Sequence, residues 1–129
     1  MAESGKRYEG FVPGRYLIDA YGAGGFRFAE MSHRGSVIAL PSGVHAWAVN
    51  DLAELTIESL APVLAEAGSL DVLLLGTGID VRFVPDRIRA RLRAAGIGLD
   101  PMQTGAAART YNVMAAEGRR VGAALIAVP

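Results

Sequence analysis

Apolar positions along this chain change their spacing near residue 50. Before it they fall at period two or in short β-branched runs, the signature of strands. Phe26 and Phe28 flank Arg27, which leaves one apolar and one polar face. Residues 36–40 read SVIAL and residues 44–49 read VHAWAV. In the second run Val44, Ala46 and Ala48 share one face, and His45, Trp47 and Val49 the other. Tyr16, Leu17 and Ile18 suggest a short first strand, followed by the turn-rich DAYGAGG at 19–25. Residues 33–35 (His-Arg-Gly) read as a hairpin turn, and 41–43 (Pro-Ser-Gly) as a stop. The first third is therefore expected to be an antiparallel β-meander.

Beyond Asn50 the spacing becomes helical and alternates with apolar runs. Thr56 is placed to cap a helix over 57–67, with Ile57, Leu60, Val63 or Leu64, and Ala67 as its apolar stripe. Pro62 inside that run predicts a late start or a kink, since proline lacks the N–H and clashes with the preceding turn. Gly68 is the stop. Residues 72–75 (Val-Leu-Leu-Leu) show no polar alternation, as a strand covered on both faces would. Pro85 and Asp86 open a second helix with Ile88, Leu92 and Ala95 on its apolar side, ended by Gly96. A short strand is expected at 97–99. A third helix runs from Thr104 or Gly105 to Glu117, with Ala107, Tyr111 and Met114 on one face. Residues 121–128 form a last buried strand. The order implies an α/β fold of three layers, a central mixed sheet flanked by helices, with the N-terminal β-meander attached.

The length of 129 residues fits a single domain spanning 1–129. Residues 1–10 form a polar arm without the apolar core of a secretory signal, with order expected from about Phe11. There is no cysteine, so disulfides, thiolate metal sites and cysteine nucleophiles drop out, and a reducing cytoplasm suits the chain. Thirteen basic residues balance thirteen acidic ones, so no global field favours nucleic acid. Although 51% of residues are hydrophobic, no run approaches the roughly 20 residues of a membrane span.

The stretch LLLGTGID at 73–80 raises a nucleotide loop. A dinucleotide fingerprint requires a third glycine, which would fall at Val81, and a helix opening inside the loop. The next helix opens only at Pro85, and residues 81–84 between them look extended or looping. No P-loop string occurs. A tight turn at a strand's carboxyl end explains the glycines, leaving Thr77 and Asp80 free to make a contact. His33 and His45 have no metal-ligand spacing, and no G-x-S-x-G elbow marks a nucleophile, so neither a metal site nor a cofactor is expected. His45, beside Trp47, either lines a pocket or is an ordinary half-buried histidine. Arg87, Arg89, Arg91 and Arg93 flank the Ile88/Leu92 stripe and present either a solvated helix face or a surface for an acidic protein. Arg109, Tyr111 and Asn112 lie within one helical turn. They either gather an anion at the sheet's carboxyl edge, or Arg109 pairs with Asp100 or Glu117 while Asn112 satisfies a loop carbonyl. Exposure of Trp47 or Phe26 would mark a self-association surface.

LLLGTG (73–78), VHAWAV (44–49) and AAGIGLDPMQTGAAARTYNVMAAEGRRVGAALI (94–126) resemble a small family of uncharacterised single-domain proteins. That family includes a mitochondrial complex I (NADH:ubiquinone oxidoreductase) assembly factor and an adipogenesis-associated protein, and this chain resembles its stand-alone bacterial members. The resemblance runs from about Ile18 to Ile126. It implies a three-layer fold around a mixed sheet and brings no established catalytic residue or cofactor. Gly76, Thr77, Gly78, Asp80, Thr104, Arg109, Tyr111 and Asn112 are the candidate cleft residues.

Two functional readings stand. The favoured one is a non-enzymatic protein-binding or assembly-factor-like domain, linked to complex I assembly and using the Arg87, Arg89, Arg91 and Arg93 face, with another protein as partner. The alternative is an enzyme or sensor for a small anionic metabolite. There the backbone of residues 76–78 and Arg109 would hold the anion, and Tyr111 or Asp80 would handle a proton.

Overall fold

A computed structural model describes residues 10–129. The polar arm expected over residues 1–10 lies, apart from Gly10, outside the described residues. The first third holds six strands: β1 (Phe11–Pro13), β2 (Ala20–Gly22), β3 (Gly25–Phe28), β4 (Met31–Arg34), β5 (Ser36–Leu40) and β6 (Gly43–Trp47). After these come a short helix α1 (Ala61–Ala65), strand β7 (Val72–Gly76), α2 (Asp86–Ala94), β8 (Gly98–Met102), α3 (Thr104–Ala116) and β9 (Val121–Leu125).

A six-stranded mixed sheet runs in the order β1-β6-β5-β9-β7-β8. The β1–β6, β6–β5 and β5–β9 pairs are antiparallel, and β9–β7 and β7–β8 are parallel. Side chains on its central strands alternate between two cores. Ile38, Leu40, Leu73, Leu75, Ala124 and Ile126 face a layer that includes Leu60 and Val63 near α1 and Ile88 and Leu92 from α2. Val37, Ala39, Leu74, Val121, Ala123 and Leu125 face α3 and the phenyl rings of β3. A strand between two apolar layers has no polar side, which is why β7 and β9 read as continuous apolar runs. The result is the three-layer α/β arrangement.

The expected meander is divided between two sheets. Strands β2, β3 and β4 form a separate three-stranded antiparallel sheet, while β1, β5 and β6 join the main one. The small sheet docks through Phe26 and Phe28, which are fully buried, while Arg27 between them points to solvent. Phe26 and Trp47 are both core residues, so neither marks a self-association surface.

Several local expectations are corrected. Residues 16–18 are not a strand. Ile18 is buried as a strand residue would be, but its N–H and C=O are taken at 2.8 Å each by the side-chain amide of Asn112. The hairpin turn lies not at 33–35 but at Ala29 and Glu30, because Phe28 pairs with Met31. Both turn residues have positive φ, 51° and 61°, so no glycine advertised the turn. The helix expected over 57–67 is broken into two 3-10 turns around the five-residue α1, with Pro62 in its first turn. This is the late start that proline imposes. Thr56 still caps: its Oγ1 accepts the Ser59 N–H at 3.0 Å, and Ser59 Oγ accepts the Thr56 N–H at 3.1 Å.

The β3–β4 turn yields a stability prediction. A left-handed L-residue costs about 1–2 kcal/mol, and glycine at such a site adds about 0.4–1 kcal/mol of unfolded-state freedom. Glu30→Gly should therefore stabilise the fold by roughly 0.5–1 kcal/mol, measured by urea denaturation. A loss of stability would refute the left-handed assignment.

Candidate functional site

The parallel strands end where β7 closes on Gly76 and gives way to Thr77 and Gly78. Gly76 accepts the Ile126 N–H at 3.0 Å. A Cβ at Gly76 would lie 3.0 Å from the Thr104 Cα, so only glycine lets α3 approach this closely. Thr77 is buried; its N–H donates to the Met102 carbonyl at 2.8 Å, and its hydroxyl lies within reach of the Asp80 and Met102 carbonyls. Gly78 takes φ 113° and exchanges two bonds with the first residue of α3. Its N–H donates to Thr104 Oγ1 at 3.0 Å, and the Thr104 N–H donates back to its carbonyl at 2.8 Å. The Thr104 hydroxyl, fully buried, donates in turn to Ile126 at 2.7 Å. One hydroxyl thus ties together the ends of β7 and β9 and the start of α3.

The remaining candidates sit apart from this turn. Arg109 is five positions along α3 from Thr104, about 140° around the helix at 100° per residue. It is exposed and donates to the Tyr21 hydroxyl at 3.4 Å. Tyr111 is fully buried, its hydroxyl donating to the Tyr16 carbonyl at 3.1 Å. Burial pushes this phenol above its ordinary value, and the nearby Arg15 guanidinium pulls it partly back. Asn112 clamps Ile18 from the next helical position. Gly76, Thr77, Gly78 and Thr104 are therefore brought together, whereas Arg109 and the Tyr111–Asn112 pair face the β2 region and residues 16–18. The Asp80 carboxylate is exposed on the loop beyond Gly78.

On α2, Arg89 reaches the Leu99 carbonyl at 3.0 Å, while Arg87, Arg91 and Arg93 are exposed. Two open grooves are seen on the described surface. One, about 430 Å³, is lined by Arg89, Arg93 and residues 96–99. The other, about 560 Å³, runs over the small sheet beside Tyr21, Arg27 and Arg34. Neither reaches Gly76 or Gly78. Among the described residues, no cluster of three or more His, Asp or Glu side chains could hold a metal. No helix there is long and apolar enough to cross a membrane. Sequence reasoning passed over Ile79, Val81 and Phe83, which are 65%, 65% and 97% exposed. Their alternation with Asp80 and Arg82 was the available signal.

A six-stranded mixed sheet with a helical layer on one face, and α3 plus a three-stranded sheet on the other, defines an α/β class with a closed strand-end turn. Residues 18–126 match the model of the protein family of unknown function DUF498/DUF598, and the chain belongs to that family. It is 42% identical over 123 residues to an uncharacterised protein of Rhodobacter capsulatus, covering 95% of this chain and 93% of that one. It is 29% identical over 117 residues to the mouse NADH dehydrogenase (ubiquinone) 1 alpha subcomplex assembly factor 3, covering 91% of this chain. The chain spans only 63% of the mouse protein's length. Among solved structures, an outer membrane protein from Bartonella henselae is 49% identical with a TM-score of 0.87, covering 91% of this chain and 98% of that one. The Rpa2829 protein of Rhodopseudomonas palustris is 48% identical with a TM-score of 0.82, covering 100% of this chain and 94% of that one.

Two predictions come from these contacts. Thr104→Val keeps the shape but leaves the Gly78 N–H and the Ile126 carbonyl buried without their partner. It should cost about 1–3 kcal/mol, whereas Thr104→Ser should cost less, in chemical denaturation of both variants. A Val variant as stable as the native chain, with Ser the costlier change, would show that the methyl and not the hydroxyl matters. His45 is half-buried, and desolvation holds its pKa below the ordinary 6.5, with Glu66 opposing. The unfolded chain then binds more protons than the native one between the two values. Stability is complete above about 6.5 and falls as pH drops below it. His45→Gln should flatten that limb of a melting-temperature profile, and an unchanged slope would rule His45 out as its source.

Proposed function

We propose that this chain acts as a non-enzymatic protein-binding domain of assembly-factor type, working as one domain in the cytoplasm. The observation that carries the reading is the division of its polar groups. Candidate groups at the strand ends and farther along α3 are spent internally: Thr104 on Gly78 and Ile126, Thr77 on neighbouring carbonyls, Asn112 on Ile18. The groups left without a hydrogen bond or ion pair among the described residues include Arg82, Arg87, Arg91 and Arg93. Such groups engage a second molecule at low desolvation cost and steer its approach. The similarity to an NADH dehydrogenase assembly factor points the same way and makes the respiratory NADH:quinone oxidoreductase the first place to look. Tyr111 fits poorly as a proton handler, because burial raises its pKa and a backbone carbonyl occupies its hydroxyl.

Affinity purification of the tagged chain from its host, against an unrelated domain of similar size, should enrich a small set of proteins that includes subunits of that oxidoreductase. Enrichment of nothing beyond background would sink the reading. So would a metabolite screen in which an anion raises the melting temperature of the native chain but not of Arg109→Ala. Because the Bartonella protein is named for the outer membrane, fractionation of host cells tests the cytoplasmic placement.

A further inference from the structure

The connection from β7 to α2 is the most apolar exposed stretch on the described surface. Ile79, Val81 and Phe83 are exposed at every second position, and Phe83 is almost wholly in solvent at 97%. Val84 turns inward and anchors the segment in the core. Leaving three large apolar side chains unburied forfeits about 1.5–3 kcal/mol for each, so the fold gains nothing by holding them there. The backbone is also unspent. Among the described residues, the Thr77 hydroxyl on the Asp80 carbonyl is the one hydrogen bond to the main chain of residues 79–84. The segment belongs to no strand; residues 79–83 are all exposed, with apolar side chains at 79, 81 and 83 and charged ones between.

Charge narrows what could cover it. Residues 79–93 carry five arginines against two aspartates, Asp80 and Asp86. Asp86 complements the N-terminus of α2, and Arg91 and Arg93 complement its C-terminus. Arg82 and Arg87 flank Phe83 in sequence and have no ion pair or hydrogen bond among the described residues. A second copy of the chain meeting this strip across a two-fold axis would bring like charges together. A lipid surface would welcome the arginines and Phe83, but insertion would strip water from unpaired backbone groups and from Asp80. A protein edge can supply main-chain partners, a socket for the ring and opposing carboxylates at once.

We infer that residues 79–84, with Arg82 and Arg87, form the docking strip for an acidic protein partner that pairs along the extended backbone and takes Phe83 into an apolar socket. The inference rests on the protein-binding reading and names its surface. The test is site-specific photocrosslinking in the native host with the full chain. The probe, p-benzoylphenylalanine, replaces Phe83 in one strain, and Tyr21 or the exposed Val113 of α3 in others as distant controls. The probe at 83 should give an adduct with a single different protein, mapped by mass spectrometry to a peptide rich in Asp or Glu. That purified protein should bind Phe83→Ala about 30-fold more weakly than the native chain, as loss of a central aromatic anchor implies. Arg82→Glu with Arg87→Glu should weaken it further and reduce its salt dependence. Phe83→Ala should leave the melting temperature unchanged, since the ring touches almost nothing in the fold.

An adduct with another copy of this chain would overturn the proposal. So would co-flotation with phosphatidylglycerol–phosphatidylethanolamine vesicles that Phe83→Ala abolishes. Adducts from a control position but none from 83 would refute the strip and leave the protein-binding reading standing. No adduct from any position would overturn both.

Discussion

One buried hydroxyl holds this architecture together where its parallel strands end. Thr104 Oγ1 accepts from Gly78 and donates to Ile126, so the chain just beyond β7 and β9 meets the first residue of α3 at one atom. Parallel strands leave their last carbonyls and amides without ladder partners, and burial makes each unpaired group expensive. Here one side chain serves two of them. The arrangement requires α3 to come very close to β7, and Gly76 permits it by presenting no Cβ to the helix. The same small-residue logic extends along α3, where Ala107 and Ala108 are buried against Leu74, Ala123 and Leu125.

The position of α3 in turn fixes the chain that enters the fold. Asn112 grips both backbone groups of Ile18, and Tyr111 reaches the carbonyl of Tyr16. A single asparagine thus does for residue 18 what a neighbouring strand would do for a ladder position. From this anchored point the chain enters β2 and the small sheet, whose Phe26 and Phe28 share a core with Tyr111. The polar residues of α3 that resemble a ligand set are therefore largely fasteners between helix and entering chain. A cluster of arginine, phenol and amide within one helical turn looks alike in a binding site and in such a clasp, because both need hydrogen bonds directed at fixed oxygens and amides.

The contrast between occupied and unoccupied groups carries the functional argument. Where strand ends, helix and entering chain meet, the polar groups are paired. Across the β7–α2 connection and the outer face of α2, apolar groups and the cationic Arg82, Arg87, Arg91 and Arg93 stand without partners among the described residues. A surface of that kind is what the proposed protein contact would use, since aromatic anchors and steering charges act together in such interfaces.

The amino-acid sequence alone determined the layered α/β plan. Unbroken apolar runs at 72–75 and 121–125, and stripes at Ile88/Leu92 and Ala107/Tyr111, follow from local periodicity, and each element signals which faces it must bury. The missing third glycine at Val81 was equally local and argued against a nucleotide loop. What tertiary structure decided were the pairings that join distant segments. Asn112 finding Ile18, Thr104 finding Ile126, and the assignment of six strands to two sheets all depend on contacts with no sequence period. The Ala29–Glu30 turn was hidden because its left-handed residues are not the usual ones, and the surrounding strands hold them there. The exposure of Phe83 was signalled only by its alternation with Asp80 and Arg82, since an apolar residue in a loop carries the same letter whether the fold buries it or leaves it for a partner.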